Sequence, residues 1–164
     1  MIRAKTLRTV FGAGLVGLLA FIPGAQANTN THASAFQSDD GLSDGCFFRG
    51  DTGTYRTSTT GVCAGNLYEV ASVTRTPPST TSALTVYVDG TCSPQGISCQ
   101  IRSFDYNGTL LGAHSATVTG APFDTPFSFT SSETSFWGYM QISCQFGTAV
   151  TGSSCRLFGF DVTP

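Results

Sequence analysis

Two hydrophobic patterns divide the chain. Val10 to Ile22 is an apolar run relieved only by glycine and alanine, whereas from Cys46 onward β-branched and aromatic residues come in short runs among Ser, Thr and Gly. No stretch keeps a helical apolar period for three turns, so the sequence predicts almost no helix. Candidate strands are Cys46 to Arg49, Val62 to Arg75, Leu84 to Thr91, Ile97 to Tyr106, Thr109 to Val118, Phe127 to Thr130, Phe136 to Phe146 and Cys155 to Val162. Alternation is clearest in Phe136 to Phe146. There Phe136, Gly138, Met140, Ile142, Cys144 and Phe146 share one face, and Trp137, Tyr139, Gln141, Ser143 and Gln145 share the other.

Turn signals separate these runs: Thr76-Pro77-Pro78-Ser79, Pro94-Gln95-Gly96, Asn107-Gly108, and Gly120-Ala121-Pro122 with Pro126. Asn-Gly between two apolar runs is a strong hairpin signal. About eight strands at this spacing predict an all-β, antiparallel β-sandwich. A β-trefoil-like three-repeat fold is the alternative, because an internal repeat runs through the chain. Cys63, Cys99 and Cys155 each stand five residues before an aromatic residue followed by an acid, in Tyr68-Glu69-Val70, Phe104-Asp105-Tyr106 and Phe160-Asp161-Val162. The strands before the partner cysteines align Tyr87 with Tyr139 and Cys92 with Cys144. Read as strand, cysteine, loop, cysteine, strand, each unit predicts local pairs: Cys46–Cys63, Cys92–Cys99 and Cys144–Cys155.

The N-terminal run changes the picture of the chain's fate. Arg3, Lys5 and Arg8 precede it, and Pro23, Gly24 and the small-residue stop Ala25-Gln26-Ala27 follow. Residues 1–27 therefore read as a secretory signal peptide, too short in its apolar core to span a bilayer. Residues 28–45 read as a flexible N-terminal segment and residues 46–164 as a disulfide-bonded β domain. Cleavage leaves Asn28, not a lipidated cysteine, so no membrane anchor is expected. The style of the leader is bacterial, and the expected location is secreted or periplasmic. Six cysteines, an even number, suit that oxidising compartment.

Without the leader the chain has five arginines, no lysine and ten acids, a formal charge of −5. That balance argues against nucleic-acid binding. The missing lysine removes Schiff-base, phosphate-loop and serine-lysine chemistry. No cofactor motif is present. His32 and His114 are the only histidines and no Cys-x-x-Cys pair exists, so a structural zinc site is not expected.

Short motifs each have a plain alternative. Gly41-Leu42-Ser43-Asp44-Gly45 matches a nucleophile elbow but lacks the strand and helix that make one. Asp40, Asp44 and Asp51 fall at positions of a calcium loop, with Leu42 where a ligand belongs. They are a weak calcium candidate against a solvated turn. Arg49-Gly50-Asp51 spells an integrin-type tripeptide. The repeat acids Glu69, Asp105 and Asp161 either converge on a polar ligand or face solvent. Asn107-Gly108-Thr109 is a glycosylation sequon that already serves as a turn, and His114 is a lone strand histidine.

The remaining feature is aromatic. Trp137 and Tyr139, with Tyr87 at the register-equivalent place, stand among Gln141 and Gln145. Such a surface suits sugars: a pyranose ring lays its C–H groups on an aromatic face while its hydroxyls meet amides. The competing reading is that a second sheet covers these rings. The sequence thus points to a secreted, non-catalytic binding protein whose partner is a glycan or another extracellular protein. A structural or adhesive surface subunit and a small secreted hydrolase remain as alternatives.

Overall fold

The computed structural model describes residues 29–73, 83–148 and 154–163. The proposed signal peptide, residues 1–27, and the Thr76-Pro77-Pro78-Ser79 turn lie outside them. Among the described residues nine strands form: β1 Thr29–His32, β2 Gln37–Ser38, β3 Phe47–Gly50, β4 Gly53–Arg56, β5 Leu67–Val73, β6 Leu84–Phe104, β7 Leu110–Phe129, β8 Tyr139–Phe146 and β9 Cys155–Thr163. Helix among the described residues is confined to three-residue 3₁₀ turns.

All pairings are antiparallel, and one long hairpin organises them. The first half of β6, residues 84–92, lies between β9 and the second half of β7. Its other half, residues 97–104, lies between β8 and the first half of β7. Register shifts between Gly90 and Ile97 mark the corner. The first layer is therefore β3, β4, β9, β6 and β7, with β1 also on β9, and the second is β2, β5, β8, β6 and β7. The expected sandwich is present, and the trefoil is not. Gly120-Ala121-Pro122 interrupts the β6–β7 ladder as predicted, with the register shifting between Phe123 and Gly120, whereas Pro126 stays within the ladder opposite Tyr87. Strand β7 pairs only with β6 among the described residues, and an edge strand needs fewer N–H donors. Gly120, at φ 139°, sits at the corner where a side chain would be strained. Asn107-Gly108 closes the hairpin as predicted, with Gly108 at φ 85° and the Asp105 carboxylate accepting from the N–H groups of Asn107 and Thr109.

Alternation fills the space between the layers with Val86, Val88, Ile97, Ile101, Met140, Ile142, Leu157 and Phe160, all buried. Phe47 on β3 meets Phe146 on β8 edge-on at 5.3 Å, joining the layers. Residues 29–45 pair with the sheet and pack on the core. β1 runs along β9, β2 along β5, and Phe36 is fully buried against Phe160 at 5.9 Å. The polar texture hid this, because backbone pairing and two apolar anchors, Ala33 and Phe36, are enough to dock the segment.

Cys46 pairs with Cys63, but the other two predicted disulfides are corrected: Cys92 joins Cys155, and Cys99 joins Cys144. The local reading fails because Cys92 and Cys99 flank the corner of β6, and Cys144 and Cys155 belong to strands of different layers. Each bond instead links residues directly opposite across a ladder.

Arg56 is fully buried, yet its guanidinium is saturated by carbonyls. It donates to Ser58 at 2.7 Å, Gly65 at 2.8 Å and Gly147 at 2.7 Å, and also to Cys63. One side chain thus supplies donors for carbonyls between β4 and β5 and for Gly147, just past β8. Arg56→Met is expected to lower stability by about 2–4 kcal/mol, since the buried Cys63 carbonyl and the part-buried carbonyls of Ser58, Gly65 and Gly147 lose their donor at once. Urea unfolding checks this, and a loss under about 1 kcal/mol would show that the loops find other donors.

Candidate functional site

The outer face of the second layer carries the chemistry. Along β8 the core takes Met140, Ile142, Cys144 and Phe146, leaving Tyr139, Gln141, Ser143 and Gln145 outward. Strand β5 sets Tyr68, Val70 and Ser72 opposite Gln145, Ser143 and Gln141. On the other side β6 sets Phe104, Arg102, Gln100 and Ser98 opposite Tyr139, Gln141, Ser143 and Gln145. Beyond these, β7 contributes Ala113, Ser115 and Thr117. A groove of about 460 Å³ crosses these strands, lined by Tyr68, Gln145, Ser143, Gln100, Arg102 and Ser115 among others.

The polar groups hold one another in place. Gln145 Nε2 donates to the Tyr68 hydroxyl. Arg102 Nε donates to Gln100 Oε1 at 2.6 Å, and Gln100 Nε2 donates to Ser115 Oγ at 3.0 Å. At one end the surface is aromatic. Tyr139 stacks on Phe104 with centroids 5.0 Å apart and planes 17° from parallel. Trp137 stands edge-on to Phe136 at 4.8 Å. Trp137 is 67% exposed and Tyr139 51%, so no second layer covers them.

A short turn positions this aromatic end. Gly138 donates its N–H to the Ser135 carbonyl at 3.1 Å, and a Cβ on Gly138 would collide with the Phe104 carbonyl oxygen. The glycine lets the turn tuck against β6. Upstream, Glu133 accepts from the Thr130 N–H at 2.9 Å and lies 2.9 Å from His114 Nε2. The Thr130 hydrogen bonds hold the Glu133 carboxyl below its ordinary range.

Of the residues singled out by sequence, Tyr139, Gln141 and Gln145 share this face, with Trp137 in the turn beside it. Phe136 departs from the predicted core face and is exposed. Tyr87 does not join them. It lies on the first layer opposite Asp161 and Pro126, because the repeat aligned strands that the corner sends to different sheets. Sequence reasoning missed Tyr68, Gln100, Arg102 and Ser115. Their outward positions on alternating strands were readable, but not which strands would be neighbours.

The other motifs come apart. Glu69 is fully buried and takes Arg49 bidentately, from Nε at 2.8 Å and Nη2 at 2.5 Å, while Asp44 accepts from Nη1 at 2.8 Å. Arg49 of Arg49-Gly50-Asp51 is therefore engaged inside the fold. Asp40 accepts from the Ser43 N–H at 2.6 Å, and hydrogen bonds from Ser43 lower its pKa. Asp40, Asp44 and Asp51 do not gather, and among the described residues no three His, Cys, Asp or Glu side chains are grouped to hold a metal. Ser43 is buried rather than raised on an elbow. The repeat acids go separate ways, into an ion pair, a turn and the first layer's outer face.

Fold and surface together define a disulfide-bonded β-sandwich whose second layer carries an open groove of amides and hydroxyls and, farther along the same strands, exposed aromatics. No family model and no curated protein matches the chain. Among solved structures it is similar to the xylan-binding module CBM15, at 10% identity and a TM-score of 0.49, over 84% of this chain and 96% of that one. TmCBM61 in complex with β-1,4-galactotriose is similar at 9% identity and 0.47, over 84% and 86%. So is a family 35 carbohydrate-binding module from Clostridium thermocellum, at 12% and 0.39, over 83% and 97%. Likeness at this level assigns no ligand and no binding residue, and the functional reading rests on the groove itself.

The opposite outer face differs in charge. Asp89 faces Asp124 across the β6–β7 ladder, and Asp161 lies on neighbouring β9. Burial first, then the charges of Asp161 and Asp124, push the Asp89 carboxyl from an ordinary 3.8 up to about 6. Folding therefore takes up a proton between these values, and stability falls as pH rises from 3.8 through about 6. Asp89→Asn is expected to raise the thermal midpoint at pH 8 and to leave it unchanged at pH 4. Thermal unfolding at the two pH values checks the sign.

Proposed function

We propose that this chain is a secreted or periplasmic, non-catalytic binding protein that takes a polysaccharide along the groove of its second layer. The observation that carries the reading is the open aromatic end, Trp137 and Tyr139, continuous with a row of amides and hydroxyls. From Tyr139 to Gln145 the strand runs about 20 Å at ~3.3 Å per residue, the span of several sugar rings. A ring laid on Tyr139 or Trp137 would exchange water for C–H contact with an aromatic face, while Gln141, Ser143 and Gln145 meet the hydroxyls that follow. Tyr68 offers a second ring at the far end. The three disulfides and the leader support export.

The rival readings lose their motifs. The adhesive tripeptide has its arginine engaged by Glu69, and the hydrolase reading would need a nucleophile beside His114, whose partner is Glu133. Trp137 is the sole tryptophan, so its fluorescence reports on the exposed aromatic surface directly. Titration of the domain with soluble polysaccharides is expected to give a saturable change. Trp137→Ala should weaken binding, measured by calorimetry, at least tenfold, about 1.4 kcal/mol, with circular dichroism unchanged. An accessible but unresponsive Trp137, with no binding heat, would end this reading.

A further inference from the structure

We infer that the polysaccharide is anionic and that Arg102 receives its carboxylate or sulfate, an inference that rests on the groove reading above. The other guanidiniums with described surroundings are occupied. Arg49 is held by Glu69 and Asp44, Arg56 is saturated by carbonyls, and Arg156 lies 4.7 Å over the Tyr55 ring. Arg102 is different. Only its Nε is used, in the 2.6 Å bond to Gln100, and among the described residues neither Nη has an acceptor. It is exposed, and it lines the groove.

The strands around it carry no acid on this face. Besides Arg102, the outward positions of β5, β8, β6 and β7 hold Tyr, Phe, Leu, Val, Ala, Ser, Thr and Gln, with no Asp or Glu. A planar fork with two free donors, fixed by Gln100 and flanked by amides, matches an oxyanion that can accept both bonds. Position completes the argument. Arg102 and Gln141 form the row next to Phe104 and Tyr139, about 7 Å along the strand at ~3.3 Å per residue. A sugar ring stacked on Tyr139 therefore places its own substituent, or that of the adjoining ring, at the guanidinium.

Matched polymers separate this from the broader reading. Polygalacturonate and its fully methyl-esterified form differ in carboxylates, and dextran sulfate and dextran differ in sulfates. Calorimetry is expected to show at least tenfold tighter binding to the charged member of one pair, weakening as NaCl rises from 20 to 200 mM. Preference for polygalacturonate identifies a carboxylate, and preference for dextran sulfate identifies a sulfate ester. Arg102→Gln should erase that ratio while affinity for the uncharged member stays the same. Arg102→Lys, which keeps the charge without the fork, should restore only part of it. Equal binding of charged and uncharged members, unaltered by Arg102→Gln, overturns the anionic assignment and leaves the polysaccharide reading standing. No binding to any of the four by the folded protein overturns both.

Discussion

Strand β6 belongs to both layers, and every other feature is placed relative to it. Its first half is hydrogen-bonded to β9 and its second to β8, so the corner near residues 90–97 sets how the layers face each other. The Cys92–Cys155 and Cys99–Cys144 bonds fix each half to its neighbour at directly opposed positions. With sequence separations of 63 and 45 residues, each is worth on the order of 4 kcal/mol in the chain-entropy view. The groove inherits that rigidity. Gln100, Arg102 and Phe104 stand on the second half of β6, one ladder away from Tyr139, Gln141 and Ser143, so both walls of the site are tied by Cys99–Cys144. A binding surface fixed before its ligand arrives loses less conformational entropy on binding.

The inward faces were legible because alternation is a local property. Met140, Ile142, Cys144 and Phe146 read correctly as core, and Asn107-Gly108 as a hairpin, from neighbours in sequence alone. What failed depends on which strands meet. The internal repeat made Cys92–Cys99 and Cys144–Cys155 look like local closures and Tyr87 look equivalent to Tyr139. A single corner in β6 sends those segments to different layers and undoes all three readings. The groove was half legible for the same reason. Trp137, Tyr139, Gln141 and Gln145 come from one stretch, while Tyr68, Gln100, Arg102 and Ser115 arrive from three other strands that no local pattern orders. Residues 29–45 dock through backbone pairing and two apolar side chains, too few to colour a composition.

The two outer faces of the sandwich are electrically unlike, and that asymmetry bears on recognition. Asp89, Asp124 and Asp161 cluster on the first layer, whereas the outward positions of β5, β8, β6 and β7 on the second carry no acid, and the Nη groups of Arg102 have no acceptor among the described residues. An acidic chain would ordinarily repel a polyanion. Packed sheets lie about 10 Å apart, however, and the Debye length at physiological salt is about 8 Å. The acids of the far face are thus largely screened from a ligand seated at Arg102, whose contact is direct. At 10 mM salt the screening length grows to about 30 Å and the far acids are felt again. Attraction at the groove and repulsion from the whole chain therefore weigh differently with ionic strength, and the sign of the local charge rather than of the total decides what the groove accepts in physiological salt.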